Sequence, residues 1–219
     1  MCGRFALFRW NPAFAALPGF PADQQAQWNI SPNASVLILR AEAGERTLAR
    51  ARWGLTPPWL TDLSKTPAHA RAETVAEQPM FREAFRQRRC LLPANGFYEW
   101  RGTHRKRPYW LTPGEGSSLF FAAIWEAYPV QEQLWLSTAV ITQPAASQRR
   151  PLILDAAGQQ AWLDPQTPLH GPAGTARQRT RRPARAGAGE PGQRSQAQCP
   201  GVPDPRLKRC IGFHSVNDG

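Results

Sequence analysis

Apolar and polar positions alternate along this chain in short runs, and few stretches hold a helical period. Residues 36–39 form an apolar block, and residues 47–53 alternate after it with Gly44 in the turn between, so the two read as a hairpin. The stretches 90–92, 96–100, 109–111, 119–125 and 134–141 carry the same strand signature. Two segments change to helical spacing. In 79–89 the positions Met80, Phe81, Ala84 and Phe85 recur three to four apart, and 156–163 follows Asp155, a residue suited to an N-cap. Many short strands with a few short helices predict a strand-rich α+β domain.

The pattern breaks near Gln166. The last 54 residues hold eight Gly, seven Pro and one aromatic, Phe213. Such a segment buries too little apolar surface to offset its ordering entropy. The expected organisation is therefore a folded domain over 1–165 and a disordered basic Gly/Pro/Arg-rich tail over 166–219, with the bias of a truncated or frame-shifted reading. Across 219 residues, 42% hydrophobic content and nine tryptophans are enough for one domain with a sizeable core. No apolar run is long enough to cross a bilayer, and no basic leader with an apolar block opens the chain. A cytoplasmic protein without membrane contact is expected.

Charge adds a partner class. The net charge of +11 favours an anionic partner, nucleic acid first, although about +6 of it falls in the tail. The cysteines at 2, 90, 199 and 210 show neither knuckle nor redox-pair spacing. Cys210 with His214 supplies two ligands where structural zinc takes four, so no metal is expected.

The chain opens Met1-Cys2-Gly3-Arg4-Phe5. Loss of Met1 leaves Cys2 with an α-amine two carbons from its thiol. The amine condenses with an aldehyde, and the thiol closes on the imine to give a five-membered thiazolidine. Both groups are partly deprotonated near neutral pH, with ordinary pKa values of roughly 8 and 8.5. An accidental, inert cysteine is the plainer alternative for this feature taken by itself.

Further stretches follow in order: Trp28-Asn29-Ile30-Ser31-Pro32, then Arg52-Trp53-Gly54-Leu55-Thr56-Pro57-Pro58-Trp59, Ala70-Arg71-Ala72-Glu73-Thr74, Met80-Phe81-Arg82, and Cys90 through Gly96-Phe97-Tyr98-Glu99-Trp100. With the Met-Cys-Gly-Arg-Phe start, this set resembles the SRAP family, the SOS response-associated peptidases or abasic-site processing proteins, from Met1 to about Pro165. The resemblance implies several things. Cys2 is exposed by self-processing, which is a peptidase (hydrolase) activity. It then captures the ring-opened aldehyde of an abasic site in single-stranded DNA as a covalent protein–DNA linkage, a lyase-type reaction in the DNA damage response. No cofactor takes part, and a nucleoid-associated monomer is expected.

Beside that resemblance, Glu99 lies among Phe97, Tyr98 and Trp100, where desolvation raises a carboxylate's pKa. A carboxyl poised near neutrality shuttles protons. Its plainer role is a rim carboxylate paired with Arg101 or Arg71. Arg4, Arg71, Arg82 and Arg149 are candidate phosphate contacts. Pro32 and Trp59 are candidates to stack on bases. Trp53 is expected in the core, and Asn29 and Asn33 fit ordinary turns.

Three departures from the family stand out. His69 occupies the place of an Asn that contacts the abasic sugar region. Ser147 stands where a His-x-Arg-Met-Pro stretch has its histidine, and loss of a proton shuttle there slows catalysis by about 10²–10⁴. The tail replaces the relatives' closing helix and strands. These departures keep open a degenerate member that binds single-stranded DNA without efficient crosslinking. An N-terminal-cysteine glutamine amidotransferase shares Met-Cys-Gly but not the downstream stretches.

Overall fold

The computed structural model describes residues 3–42, 44–102, 104, 106–113, 117–145 and 148–168. In chain order these form β1 (Arg4–Leu7), α1 (Pro12–Ala15), β2 (Gln27–Ile30), β3 (Ser35–Glu42), β4 (Glu45–Trp53), β5 (His69–Arg71), α2 (Arg82–Gln87), β6 (Arg89–Ala94), β7 (Gly96–Arg101), β8 (Arg107–Leu111), β9 (Leu119–Val130), β10 (Gln133–Ala145), β11 (Gln148–Pro151) and α3 (Ala156–Leu163). The class is strand-rich α+β, with short helices, as expected.

Four strands make one sheet in the order β2-β1-β7-β8, and the other seven make a second, in the order β11-β10-β4-β3-β6-β9 with β5 pairing β10 off that path. A further β9–β10 pairing, Gln133↔Val130 through Val140↔Ala123, closes the second sheet into a barrel. The expected hairpin across Gly44 is β3–β4, with Glu42 opposite Glu45 and Gly44 at φ +85°. A left-handed turn residue is what glycine tolerates without steric cost.

Side-chain alternation explains why these strands read as nearly continuous apolar runs. Cys90 and Leu92 of β6, Phe121 and Ala123 of β9 and Val140 of β10 join one core with Phe5, Trp53 and Phe97. Their neighbours Leu91, Ala122, Ile124, Ala139 and Ile141 join a second core with Phe85 and Trp162 of the helices. Both faces of the barrel wall are thus buried, with successive side chains on opposite sides. α3 starts where Asp155 accepts from the Gly158 amide at 2.9 Å. It is pinned where the Trp162 indole donates to the Cys90 carbonyl at 2.9 Å.

The helix expected over 79–89 is shorter. Phe81 gives α2 no side-chain cap, and at the other end Arg89 is already strand, opposite Ile124 of β9. Strands β1, β2, β5 and β11, of three or four residues each, were outside the expected set because so short a run has no readable period. Among the described residues, no helix is long and apolar enough to cross a membrane, and no three His, Cys, Asp or Glu cluster to hold a metal ion. The proposed tail lies almost wholly outside the described residues.

Candidate active site

The site is assembled where the two sheets meet. β1 runs antiparallel to β7 with Arg4 opposite Tyr98, so Arg4, the first residue of β1, and Glu99 share one end of that sheet. Phe5, next to Arg4, packs edge-on against Trp53 with centroids 5.1 Å apart, and Trp53 packs edge-on against His69 at 5.4 Å. This line of rings joins three sequence segments far apart in the chain. Trp53 is only 1% exposed, in the core as expected, and its indole donates to the Ala68 carbonyl at 2.8 Å. His69 opens β5, opposite Val140 of β10.

Glu99 is buried, at 5% exposure, yet it faces an unusual concentration of donors. Arg150 reaches it with Nε–Oε2 2.8 Å and Nη2–Oε1 3.2 Å. Arg101 Nε lies 3.0 Å from Oε1, and the Gln148 amide donates to the same oxygen at 2.5 Å. Burial is the largest single influence and pushes the carboxyl up. The hydrogen bonds and charges of Arg150 and Arg101 together outweigh it and hold Glu99 below the ordinary carboxylate range. The expectation of a carboxyl poised near neutrality is therefore corrected. The aromatic neighbours in sequence were visible, but two guanidinium partners dominate. Arg101 does pair with Glu99; Arg71 instead lies near Glu73, whose pKa its charge helps to lower.

β11 serves both of its faces. Gln148 and Arg150 point to Glu99, while Arg149 between them grips Glu73 at 3.0 and 2.6 Å and bonds the Thr142 hydroxyl at 3.1 Å. Period-2 alternation in Gln148-Arg149-Arg150 would have separated these roles had the strand been recognised. Arg150 and Gln148 are the site residues that sequence reasoning missed.

The other candidates are spread around this centre. Arg4 donates to Asn29 Oδ1 at 3.2 Å. Pro32 is exposed beside Asn33, which takes the left-handed conformation at φ 74°, consistent with a turn. Trp59 is 58% exposed. The two loops carrying Pro32 and Trp59 are tied together by Arg52, whose guanidinium bonds Asn33 Oδ1 at 2.6 Å and Thr66 Oγ1 at 3.1 Å. Arg71 is exposed at the end of β5. Arg82 is exposed on α2, whose Ala84 and Phe85 pack in the outer core, and no contact among the described residues ties it to Glu99. Cys2 and Ser147 lie outside the described residues. Cys90 is fully buried beside Thr138, and burial pushes its thiol up to about 12, so it is no nucleophile.

The family model of the SOS response associated peptidases (SRAP) matches residues 1–182. The chain belongs to the SRAP family. Relatives of this SRAP chain include the abasic site processing protein YoqW of Bacillus subtilis, 31% identical over 183 residues that cover 75% of this chain and 81% of the relative. The abasic site processing protein YedK of Escherichia coli is 29% identical over 179 residues, covering 74% and 79%. A solved structure of a protein from Bacteroides thetaiotaomicron matches at a TM-score of 0.66 with 22% identity, over 75% of this chain and 82% of that one. That likeness concerns the SRAP fold alone.

Proposed function

We propose that this protein processes abasic sites in single-stranded DNA by covalent capture on Cys2, after self-processing removes Met1. One observation supports the reading beside family membership: β1, which opens at Arg4 two residues after Cys2 in the sequence, pairs with β7 through Arg4 and Tyr98, next to the buried Glu99. The α-amine adds to the C1′ aldehyde to give a carbinolamine, which loses one water to become an imine. The thiol then adds across the carbon–nitrogen double bond and its proton passes to nitrogen, leaving a thiazolidine. Glu99 takes the proton released as the amine adds and returns it to the departing hydroxyl. Hydrolysis of the imine reverses capture and restores the aldehyde. Loss of the C2′ proton from the imine with departure of the 3′ phosphate, a β-elimination, is the lyase-type branch.

Arg4, Arg71 and Arg82 contact phosphates in this reading, and Pro32 with Trp59 stacks on flanking bases, their loops held in register by Arg52. Arg149 acts through its bonds to Glu73 and Thr142, fixing the turn after His69, which faces the lesion. A second reading, a single-strand binder that crosslinks poorly, is favoured by the donors that crowd the Glu99 carboxylate.

The experiment is intact mass before and after incubation with an abasic single-stranded oligonucleotide. The expected result is a chain beginning at Cys2 and a stoichiometric adduct less one water, absent in Cys2→Ala. An adduct of equal yield in Cys2→Ala refutes the nucleophile. Oligonucleotide binding with no adduct selects the second reading.

A further inference from the structure

Both oxygens of Glu99 are engaged: Oε2 by Arg150, Oε1 by Arg150, Arg101 and Gln148. A carboxylate held this way is a poor proton acceptor, because a proton can sit only on an oxygen whose donor has left. Oε2, held by Arg150, is freed by the loss of that one donor, while Arg101 and Gln148 stay on Oε1. The proposed chemistry needs the opposite. The exposures suggest how the two are reconciled. The Arg150 and Arg101 side chains are 35% and 46% exposed, while the Glu99 side chain is 6% exposed. An anion arriving from solvent therefore meets the guanidinium groups before it meets the carboxylate.

The neighbouring arginine is built differently. Arg149 is anchored to Glu73 and to both the hydroxyl and the carbonyl of Thr142, and at 22% it is less exposed than the 37% of its partner. Among the described residues, the Arg150 side chain hydrogen-bonds Glu99 alone. One strand thus carries an arginine that is fixed and, one position on, an arginine that can exchange partners.

We infer that Arg150 is a releasable guard on Glu99: it caps the carboxylate in the free protein, and a DNA phosphodiester draws its guanidinium away, leaving Glu99 able to accept and return a proton. Guanidinium forks match phosphate oxygens as well as they match carboxylates, so the exchange replaces one charge-assisted pair with another. Other charged or titratable groups frame the same carboxylate. Tyr109 and Arg107 lie on β8, opposite Glu99 and Arg101, and Arg4 lies on β1 opposite Tyr98. Arg101 also stacks over the Tyr109 ring at 5.3 Å, which keeps it in place when Arg150 leaves. The guard makes proton transfer at Glu99 conditional on bound DNA, and this inference rests on the abasic-site reading above.

The test follows the Glu99 carboxyl directly, by carbon-13 NMR titration of the full chain with labelled glutamate, assigned with Glu99→Gln. Saturating unmodified oligodeoxythymidine should move the parent's Glu99 midpoint upward. Arg150→Met should raise the midpoint in the free protein, and the oligonucleotide should then move it little. Arg150→Lys, which keeps the charge, should retain a low free midpoint and serves if the Met variant fails to fold. A parent midpoint unmoved by saturating oligonucleotide overturns the guard, as does an Arg150→Met midpoint equal to the parent's. Adduct formation on an abasic oligonucleotide, read in parallel by mass, separates the two ideas. Adduct with an unmoved midpoint sinks the guard alone, whereas no binding and no adduct sinks the functional reading with it.

Discussion

Arg149 and Glu73 meet as a bidentate pair, Nη1–Oε1 3.0 Å and Nη2–Oε2 2.6 Å, across 76 positions of sequence. The pair ties β11 to the turn that follows β5, the strand that carries His69 and Arg71 and itself pairs with β10. Arg149→Ala should lower stability by about 1 kcal/mol, a modest figure because the carboxylate is partly exposed and screened. Arg149→Lys keeps the charge but not the fork, and should recover less than half of the loss. Urea unfolding of both variants with Glu73→Gln, as a double-mutant cycle, checks this. A coupling energy near zero would mean the pair is ornamental.

How much of this was legible in the sequence differs from residue to residue. The β3–β4 hairpin, the long strands β9 and β10 and the Asp155 cap were readable because each has a local cause: a turn glycine, a sustained apolar run or a capping side chain. Strands β5 and β11 were not, since they are set by pairing with β10 rather than by their own pattern. That blind spot reached the site. Glu99 is legible as a candidate from its segment, but the direction of its pKa is not, because Arg150 and Gln148 arrive from 51 and 49 positions away. Composition and periodicity carry no trace of such partners.

Cys90 gives a sharp chemical contrast with the proposed nucleophile. It is 0% exposed, and its thiol is pushed up to about 12 by burial. Iodoacetamide at pH 8 should leave Cys90 unmodified in the folded protein and label it only as the chain unfolds in urea. Peptide mapping by mass spectrometry reads both states. Labelling of Cys90 at native-state rates equal to a free thiol would show that the barrel wall opens readily.

Trp59 is 58% exposed, in a loop braced by the Tyr128 hydroxyl, which donates to the Leu60 carbonyl at 3.3 Å. Trp59→Ala should therefore leave the melting temperature nearly unchanged. If the ring stacks on a base, the variant should lose about 1–3 kcal/mol of affinity for unmodified single-stranded DNA. Fluorescence anisotropy at fixed salt measures it. Unchanged affinity would remove Trp59 from the binding surface.

Gly96 begins β7 with no room for a side chain. An added Cβ would lie 2.5 Å from the Leu111 carbonyl oxygen and would overlap the Trp110 ring still more closely. Trp110 and Leu111 are on the paired strand β8, so relief requires the two strands to part. Gly96→Ala should cost about 1–3 kcal/mol of stability. It should also reduce adduct yield, because Glu99 is three residues along the displaced strand. Thermal unfolding near the parent's value would show that the sheet yields more easily than its packing implies.

The acid limb of stability tests the Glu99 cluster without any DNA. The folded-state pKa of Glu99 lies below its ordinary value of 4.5, the pull of the two arginines exceeding the push of burial. A depressed folded value means that the unfolded chain binds the proton more readily. The contribution to stability is therefore fully present above pH 4.5 and is lost as pH falls through the folded value. Glu99→Gln removes this dependence, and at pH 7 it also leaves Arg101 and Arg150 without their anionic partner. The variant should be less stable than the parent at pH 7, and the gap should narrow as both are acidified. Arg150→Met, by letting the Glu99 value rise, should likewise flatten the limb, though less. Glu73, Asp23, Asp62 and Asp164 also titrate below their ordinary values, so some acid sensitivity persists in every variant. The comparison is thus between slopes, taken from thermal unfolding at pH 7 down to 2.5. Parallel limbs for the parent and Glu99→Gln would mean that Glu99 carries no depressed pKa, and that the three donors around it do not stabilise its charge.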